Sequence, residues 1–170
     1  MEQLFNQLSE KLLNSLGADE HMKVSIDGEN SQFIRFSQSK VRQAGLVDDT
    51  SLSISLIKDG RTCRGSFTLT GNSETDEKTS LTELERLREE VVSLPKDPFV
   101  VLPEDTGSSR EDHNGSLLSQ ENAVSALSPA MQGVDLAGIW ASGRIFTGNT
   151  NSAGQKHWLQ QIHSPWIILL

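Results

Sequence analysis

The chain has 170 residues, of which 35% are hydrophobic, and its 23 Asp and Glu against 15 Lys and Arg give a formal net charge of −8 at pH 7. This length suffices for one good core, or for one domain and part of another, and the low apolar fraction predicts that a substantial part is irregular. The acidic balance argues against general nucleic-acid binding, which needs a basic surface, and is typical of a soluble cytosolic protein.

The compartment is inferred from what the chain lacks. The first residues carry Glu2, Glu10 and Glu20 without an apolar core flanked by basic residues, so no signal peptide is predicted. No apolar run approaches the roughly 20 residues of a membrane span. The one cysteine, Cys63, cannot form an internal disulfide and is predicted to be a buried, inert thiol rather than a nucleophile. We therefore expect a cytoplasmic protein.

Residues 1–16 are predicted to form an amphipathic helix, because leucine and phenylalanine recur at three- and four-residue steps, with Gly17 as its C-cap. The apolar stripe suits a partner, but packing on the following sheet is the simpler use. Next, short strands at 22–26 and 33–36 are separated by a predicted turn at 27–30. A third strand is predicted at 40–44, ended by Gly45.

The clearest strand pair follows. Leu52, Ile54 and Leu56 share one predicted face, with serines between them on the other, and Lys58-Asp59-Gly60-Arg61 is a strong hairpin signal. The alternation resumes in residues 63–69. A one-residue slip would expose the apolar set, so we expect a fixed register. With short loops throughout, residues 22–70 predict an antiparallel sheet of about five strands.

A second helix is predicted from a capping box at residues 80–83, or from an earlier start near Asp76, to about Leu94, because prolines follow. Residues 99–118 change character and are predicted to be a linker or mobile loop, most polar at 104–116. A short helix is predicted within residues 117–127.

Residues 135–158 are predicted to return to strands, with a turn at 142–144. The segment 148–154 is rich in turn-forming residues, which indicates a corner or, less simply, a loop that presents backbone amides to a ligand. The apolar tail at 159–170 is interrupted by Ser164-Pro165 and fits neither a strand nor a helix.

No catalytic or metal-binding residues are predicted. The histidines His21, His113, His157 and His163 form no HExxH or HExxxH motif, and no second cysteine completes a zinc site. Phosphate-binding glycine loops and the GxSxG elbow are also missing. Asp48-Asp49 lies where turn chemistry explains a carboxylate pair.

Several motifs resemble the TldD/PmbA family, once called modulators of DNA gyrase. Residues 35–45 (RFSQSKVRQAG), followed by the strand pair around Asp59-Gly60-Arg61, resemble the family's N-terminal strands. Residues 94–98 (LPKDP) are similar to the LP-x-D-P after its second helix. Residues 135–140 and 151–158 resemble its next strand pair, whose loop reads N-S-x-G-Q. The likeness covers residues 4–158 and is closer to the PmbA-like branch.

The resemblance implies an α+β fold in which an N-terminal antiparallel sheet of about five strands with two packing helices precedes a β-rich second domain. On this basis we expect residues 1–98 to be the first domain, 99–118 a linker, 119–158 the incomplete start of the second domain, and 159–170 a divergent apolar tail. We interpret the chain as a truncated or frameshifted relative.

The resemblance also implies function. TldD-like members are zinc metallopeptidases with an HExxxH motif and a later cysteine, and PmbA-like members pair with them without that motif. This chain lacks the motif, so we expect no cofactor in it and no activity alone, although relatives carry zinc. The expected partner is a TldD/PmbA-type subunit, with a dimer allowed, and neither nucleic acid nor membrane is expected. The alternatives are a non-enzymatic interaction module and a topoisomerase-regulating partner.

Overall fold

The computed structural model describes residues 1–163 and 166–169, and over these the predicted α+β class is confirmed. The helices are α1 (Glu2–Asn14), α2 (Ser73–Val91) and α3 (Gln120–Leu127), the last continued by a 3₁₀ helix (Ser128–Met131). The strands are β1 (Glu20–Ser37), β2 (Lys40–Lys58), β3 (Arg61–Thr68), β4 (Ser108–His113), β5 (Ala137–Asn151), β6 (Lys156–His163) and β7 (Trp166–Leu169).

Over the described residues, seven strands form one sheet in the order β3-β2-β1-β5-β6-β4, and β7 pairs with β5. Strands β2 and β3 are antiparallel, with Ile54 opposite Gly65 and Lys58 opposite Arg61. The two residues between them, Asp59 and Gly60, have φ values of 49° and 70°, as a two-residue hairpin turn requires. The predicted turn of this strand pair is therefore confirmed.

The chain divides into two compact units, each assembled from three stretches. Unit 1 comprises Met1–Asp27, Thr50–Glu111 and Thr147–Leu159, and unit 2 comprises Gly28–Asp49, Asp112–Phe146 and Gln160–Leu170. The division of a longer protein into domains at residues 98 and 119 stays a prediction.

The core of unit 1 comes from α1, α2 and the inner face of the sheet. Its fully buried residues are those that the apolar stripes and alternation predicted, namely Phe5, Leu8, Leu12, Met22, Val24, Ile26, Leu52, Ile54, Leu56, Leu84, Leu87 and Val91. Helix α2 packs so closely on β3 that a Cβ atom at Gly65 would overlap Glu83 Oε1. Only glycine leaves room for the helix there.

The core of unit 2 forms around Trp140, which is 1% exposed. Ile34 and Phe36 pack with it, together with side chains from α3 and the 3₁₀ helix. These contributors are Ala123, Leu127 and Met131. The helix predicted within 117–127 is thus confirmed, and its apolar face covers strand residues.

Three predicted chain breaks are wrong. The turns at 27–30 and 142–144 lie inside β1 and β5, and the strand predicted to end at Gly45 continues through β2. The physical reason is the same in each case. The glycine lies within a strand and leaves room for a close neighbour, and it does not make a turn. A Cβ at Gly28 would overlap the Phe146 ring, one at Gly45 the Phe33 ring, and one at Gly143 the Ser31 backbone. The roughly five strands predicted in residues 22–70 are therefore three, the long strands β1 and β2 and the shorter β3.

Both predicted helix caps are also wrong. Helix α2 starts at Ser73, because Asn72 Oδ1 accepts the Thr75 N–H at 2.9 Å. Ser80, predicted to begin a capping box, lies buried inside α2 and donates to the Asp76 carbonyl at 2.6 Å. Helix α1 ends at Asn14 with Ser15 as its C-cap, rather than at Gly17.

Two segments predicted to be irregular contain strands. Strand β4 lies within 104–116, so the loop interpretation is wrong for Ser108–His113. The tail predicted to fit no element includes part of β6 and all of β7, and β7 pairs antiparallel with β5. Ser164-Pro165 and Leu170 lie outside the described residues.

Candidate functional site

Residues 152–155 join β5 to β6, and all four of their backbone N–H groups are occupied within unit 1. The donors and acceptors are Ser152 N to Met22 O (2.9 Å), Gly154 N to Asn151 O (3.2 Å), and Ala153 N and Gln155 N to Asn151 Oδ1 (2.9 and 3.2 Å). A loop whose amides are consumed internally cannot offer them to a ligand. The interpretation as a corner is confirmed for residues 152–154, whereas residues 148–151 continue strand β5 and were wrongly predicted to be irregular.

The corner also orients a chain of side-chain hydrogen bonds. Because Asn151 Oδ1 accepts from the backbone, Asn151 Nδ2 is the donor, and it reaches Gln155 Oε1 at 2.7 Å. Gln155 Nε2 then faces His157 Nε2 at 2.8 Å. An amide nitrogen only donates, so the His157 Nε2 atom accepts and the ring proton lies on Nδ1, which donates to Ser109 Oγ at 2.8 Å.

This direction decides what the Ser109 and His157 pair can do. A general base must turn an unprotonated ring nitrogen toward the hydroxyl that it activates. Here the protonated nitrogen faces Ser109, so the arrangement positions β4 beside β6 and does not activate a nucleophile. Ser109 and His157 are therefore a structural pair, although they lie at hydrogen-bond distance.

We expect nuclear magnetic resonance of the neutral His157 ring to show the Nδ1–H tautomer, because Gln155 holds Nε2 as an acceptor. Gln155→Leu should release the ring to the Nε2–H form that a free histidine side chain prefers. Ser109→Ala is the matched control and should keep the Nδ1–H form, since Gln155 remains. An Nε2–H pattern in the wild-type protein would contradict the assigned direction.

A polar groove lies on the outer face of unit 1, away from α1 and α2. It has a volume of about 380 Å³ and is lined by residues of β1, β2 and β3, by the end of β5 and by Gln155. We call these residues the polar groove: Lys23, Val24, Ser25, Ser53, Ser55, Arg64, Asn149, Thr150, Asn151 and Gln155. Most of the set are polar, so the outer face attracts polar ligands.

The polar groove is basic in an acidic protein. It contains Lys23 and Arg64 but no aspartate or glutamate. In the described part of the chain, neither cation has a salt-bridge partner, whereas Arg86, Arg88 and Arg110 all pair with glutamates. Arg64 lies directly opposite Ser55 across the β2–β3 ladder. The groove can therefore attract an anion without first breaking an internal ion pair.

A buried ion-pair cluster lies elsewhere in unit 1. Glu20, whose side chain is 3% exposed, accepts hydrogen bonds from Arg88 Nη2 at 2.7 Å, Gly17 N at 2.9 Å and Lys58 Nζ at 3.3 Å. Burial alone would raise the pKa of Glu20, but these hydrogen bonds outweigh it and lower the pKa to about 2. Arg88 also donates to the Ser15 carbonyl at 2.7 Å, so the cluster ties α2 both to the end of α1 and, through Glu20, to the start of β1.

The residues tested from the sequence lie apart. In the described residues, no three His, Cys, Asp or Glu side chains come together to hold a metal ion. Cys63 is buried, as predicted, with Sγ 3.3 Å from the Leu87 carbonyl oxygen, and burial raises the pKa of its thiol. The side chain of His163 lies outside the described part of the structure.

The polar groove was missed because its residues are far apart in sequence. The alternation places serines opposite the apolar face of β2 and Arg64 opposite that of β3, but only the strand pairing brings them together. Lys23 on β1 and Asn149 on β5 also line the groove, although these two residues are 126 positions apart in the sequence. The usable signal was the strand alternation combined with the hairpin register.

Comparisons with known proteins support the fold. No family model and no curated protein matches the sequence. Three solved structures align with 94–99% of the chain at TM-scores of 0.60–0.61 and 13–16% identity. They are a candidate modulator of a DNA gyrase from Thermotoga maritima, TldE from Thermococcus kodakarensis, and a candidate modulator of DNA gyrase from Bacteroides thetaiotaomicron.

The chain spans about two fifths of the length of these structures, 38–42% in each case. At this identity the likeness establishes a shared fold. The resemblance to TldD/PmbA proteins drawn from the sequence is therefore confirmed at the level of the fold.

Proposed function

We propose that this chain, which has the fold of TldD/PmbA-type proteins, belongs to that family and acts as the non-catalytic part of a metallopeptidase complex that works on peptides. The observation that carries the proposal is the alignment of 94–99% of the chain with three structures bearing that family's names. The motifs in residues 35–45, 94–98 and 151–158 support it independently, because sequence motifs and fold lead to the same family.

The proposed role follows from the family resemblance and the chemistry of the sequence. Zinc peptidase activity in TldD-like relatives needs the HExxxH ligands, which this sequence lacks. The catalytic metal would then come from a TldD-type partner subunit, and this chain would contribute binding surface. No helix in the described residues is long and apolar enough to cross a membrane. We propose that the complex works in the cytoplasm.

A second function, an interaction module without a role in proteolysis, is favoured by one observation. The segment after α2 exposes apolar side chains, with Phe99 85% and Val101 73% exposed. Exposed apolar groups of this size favour protein contacts. The names of two structural neighbours make DNA gyrase the partner to test by co-purification.

Zinc and activity measurements test the proposed function. We expect the purified chain to hold no stoichiometric zinc after dialysis against a chelator and to hydrolyse no peptide alone. Mixed with a TldD-type subunit, it should co-elute in size-exclusion chromatography, and the mixture should hydrolyse peptides in a zinc-dependent manner. One tightly bound zinc per chain, or hydrolysis by the chain alone, would show that the non-catalytic role is wrong.

A further inference from the structure

We propose that the polar groove of unit 1 binds a short peptide through its C-terminal carboxylate. The inference deepens the proposed function by assigning a substrate-binding surface to this chain, and it rests on that function for the choice of peptide. The anion-attracting groups would be Arg64 on β3 and Lys23 on β1, with the serines of β2 between them. The peptide backbone would lie across these strands toward the amide groups of β5.

The groove offers unused hydrogen-bonding groups. In the described residues, no hydrogen bond is found for the side chains of Ser25, Ser55 and Asn149, although each lines the groove. Hydroxyl and amide groups both donate and accept, so they can match the alternating N–H and C=O groups of a peptide. By contrast, Asn151 and Gln155 are held in the hydrogen-bond chain of the corner and form a rigid wall.

Charge selects the carboxylate. Arg64 presents a planar guanidinium that binds a carboxylate through two parallel hydrogen bonds, and Lys23 adds a second positive charge on the same face. Since the lining contains no acidic residue in a chain of net charge −8, an incoming carboxylate meets no like charge there. A peptide whose terminus is amidated loses this attraction and keeps only its backbone hydrogen bonds.

Size agrees with a small ligand. The volume of about 380 Å³ lies at the lower end of the range of about 300–1,000 Å³ found for small-molecule sites. The floor is rigid, because Ser53 Oγ and Ser66 Oγ are hydrogen-bonded at 3.1 Å across the β2–β3 ladder. The groove therefore suits the last few residues of a peptide better than a folded protein surface.

The test is a titration of the isotopically labelled full chain with tetra-alanine, monitored by nuclear magnetic resonance. We expect saturable shifts at Lys23, Ser25, Ser55 and Arg64, and binding about tenfold weaker for the C-terminally amidated peptide, the effect of losing one charged hydrogen bond. Arg64→Gln should weaken binding of the free-acid peptide by a similar factor without changing the thermal melt. Lys78→Gln, which removes an exposed cation from α2, is the matched control and should bind as the wild type does.

Three outcomes would overturn the proposal: no saturable shifts at millimolar peptide, equal affinity for the free and amidated peptides, or equal affinity for inorganic phosphate, which would make the groove a general anion site. The titration uses this chain alone, whereas the proposed function is tested with a TldD-type subunit. If the chain binds the peptide but forms no complex with the TldD-type subunit, the proposed function is rejected. If it forms the complex but does not bind the peptide, only the proposal of a peptide-binding groove is rejected.

Discussion

Ile54→Asp is expected to abolish folding of unit 1. Ile54 is fully buried, lies on the inner face of β2 opposite Gly65, and is flanked on that face by Leu52 and Leu56, which are buried equally. No described basic side chain lies among the buried apolar residues of this core to pair with a new carboxylate. Burying an unpaired charge costs several kcal/mol or more, which is comparable with the total stability of a small domain.

Circular dichroism during heating measures this effect. The variant should lose its cooperative melt, while the matched control Ser55→Asp should melt within a few degrees of the wild type. Ser55 is the next residue on the same strand, but its side chain lies on the outer face and Arg64 is opposite. A wild-type melt for Ile54→Asp would show that the face assignment of β2 is wrong.

Glu20→Gln is expected to destabilise unit 1 by about 3 kcal/mol at pH 7, the free energy that corresponds to the lowering of the Glu20 pKa from 4.5 to about 2. The loss is this large because the carboxylate is 3% exposed and binds Arg88 and Lys58. Without it, Arg88, whose side chain is 24% exposed, keeps its charge but loses its main partner.

The effect should depend on pH in a defined direction. The pKa of Glu20 is lower in the folded than in the unfolded protein, so its stabilisation is fully present above about pH 4.5 and is lost as the pH falls toward about 2. Urea unfolding of wild type and Glu20→Gln between pH 7 and pH 3 should therefore show converging stabilities. Glu85→Gln is the control, because Glu85 also pairs with Arg88 but is 67% exposed, and its effect should stay below about 1 kcal/mol. A stability difference that stays constant down to pH 3 would contradict the assignment.

How much of the fold could be predicted depended on whether the signal was local. The stripe of α1, the alternation around Ile54 and the Asp59-Gly60 turn are local patterns, and all three were predicted correctly. Gly28 and Gly143 were misread as turn residues, because their purpose is to admit Phe146 and Ser31, and those contacts exist only after the strands pair. Sequence propensity cannot distinguish a glycine that bends a strand from one that makes room for a neighbour.

The candidate site was less predictable than the fold. Individual residues such as Ser55 and Arg64 were placed on the correct face, but the groove needs β1, β2, β3 and β5 side by side. Glu20 gave no signal in sequence, since its partner Arg88 is 68 residues away on the second helix. The Asn151 side chain was recognised only as a turn former, although it holds the corner by accepting from two backbone amides.

The hydrogen bonds of Asn151 also bear on how the protein ages. Asparagine deamidates when the backbone nitrogen of the following residue attacks the side-chain carbonyl, and an Asn-Ser sequence is susceptible in a flexible chain. At this corner the Ser152 nitrogen donates to the Met22 carbonyl at 2.9 Å, and the Asn151 amide is fixed at both of its ends. Ring closure would have to break these bonds first. Asn114-Gly115 is exposed and lies in irregular backbone, so chemical damage on long storage should accumulate there while the corner persists.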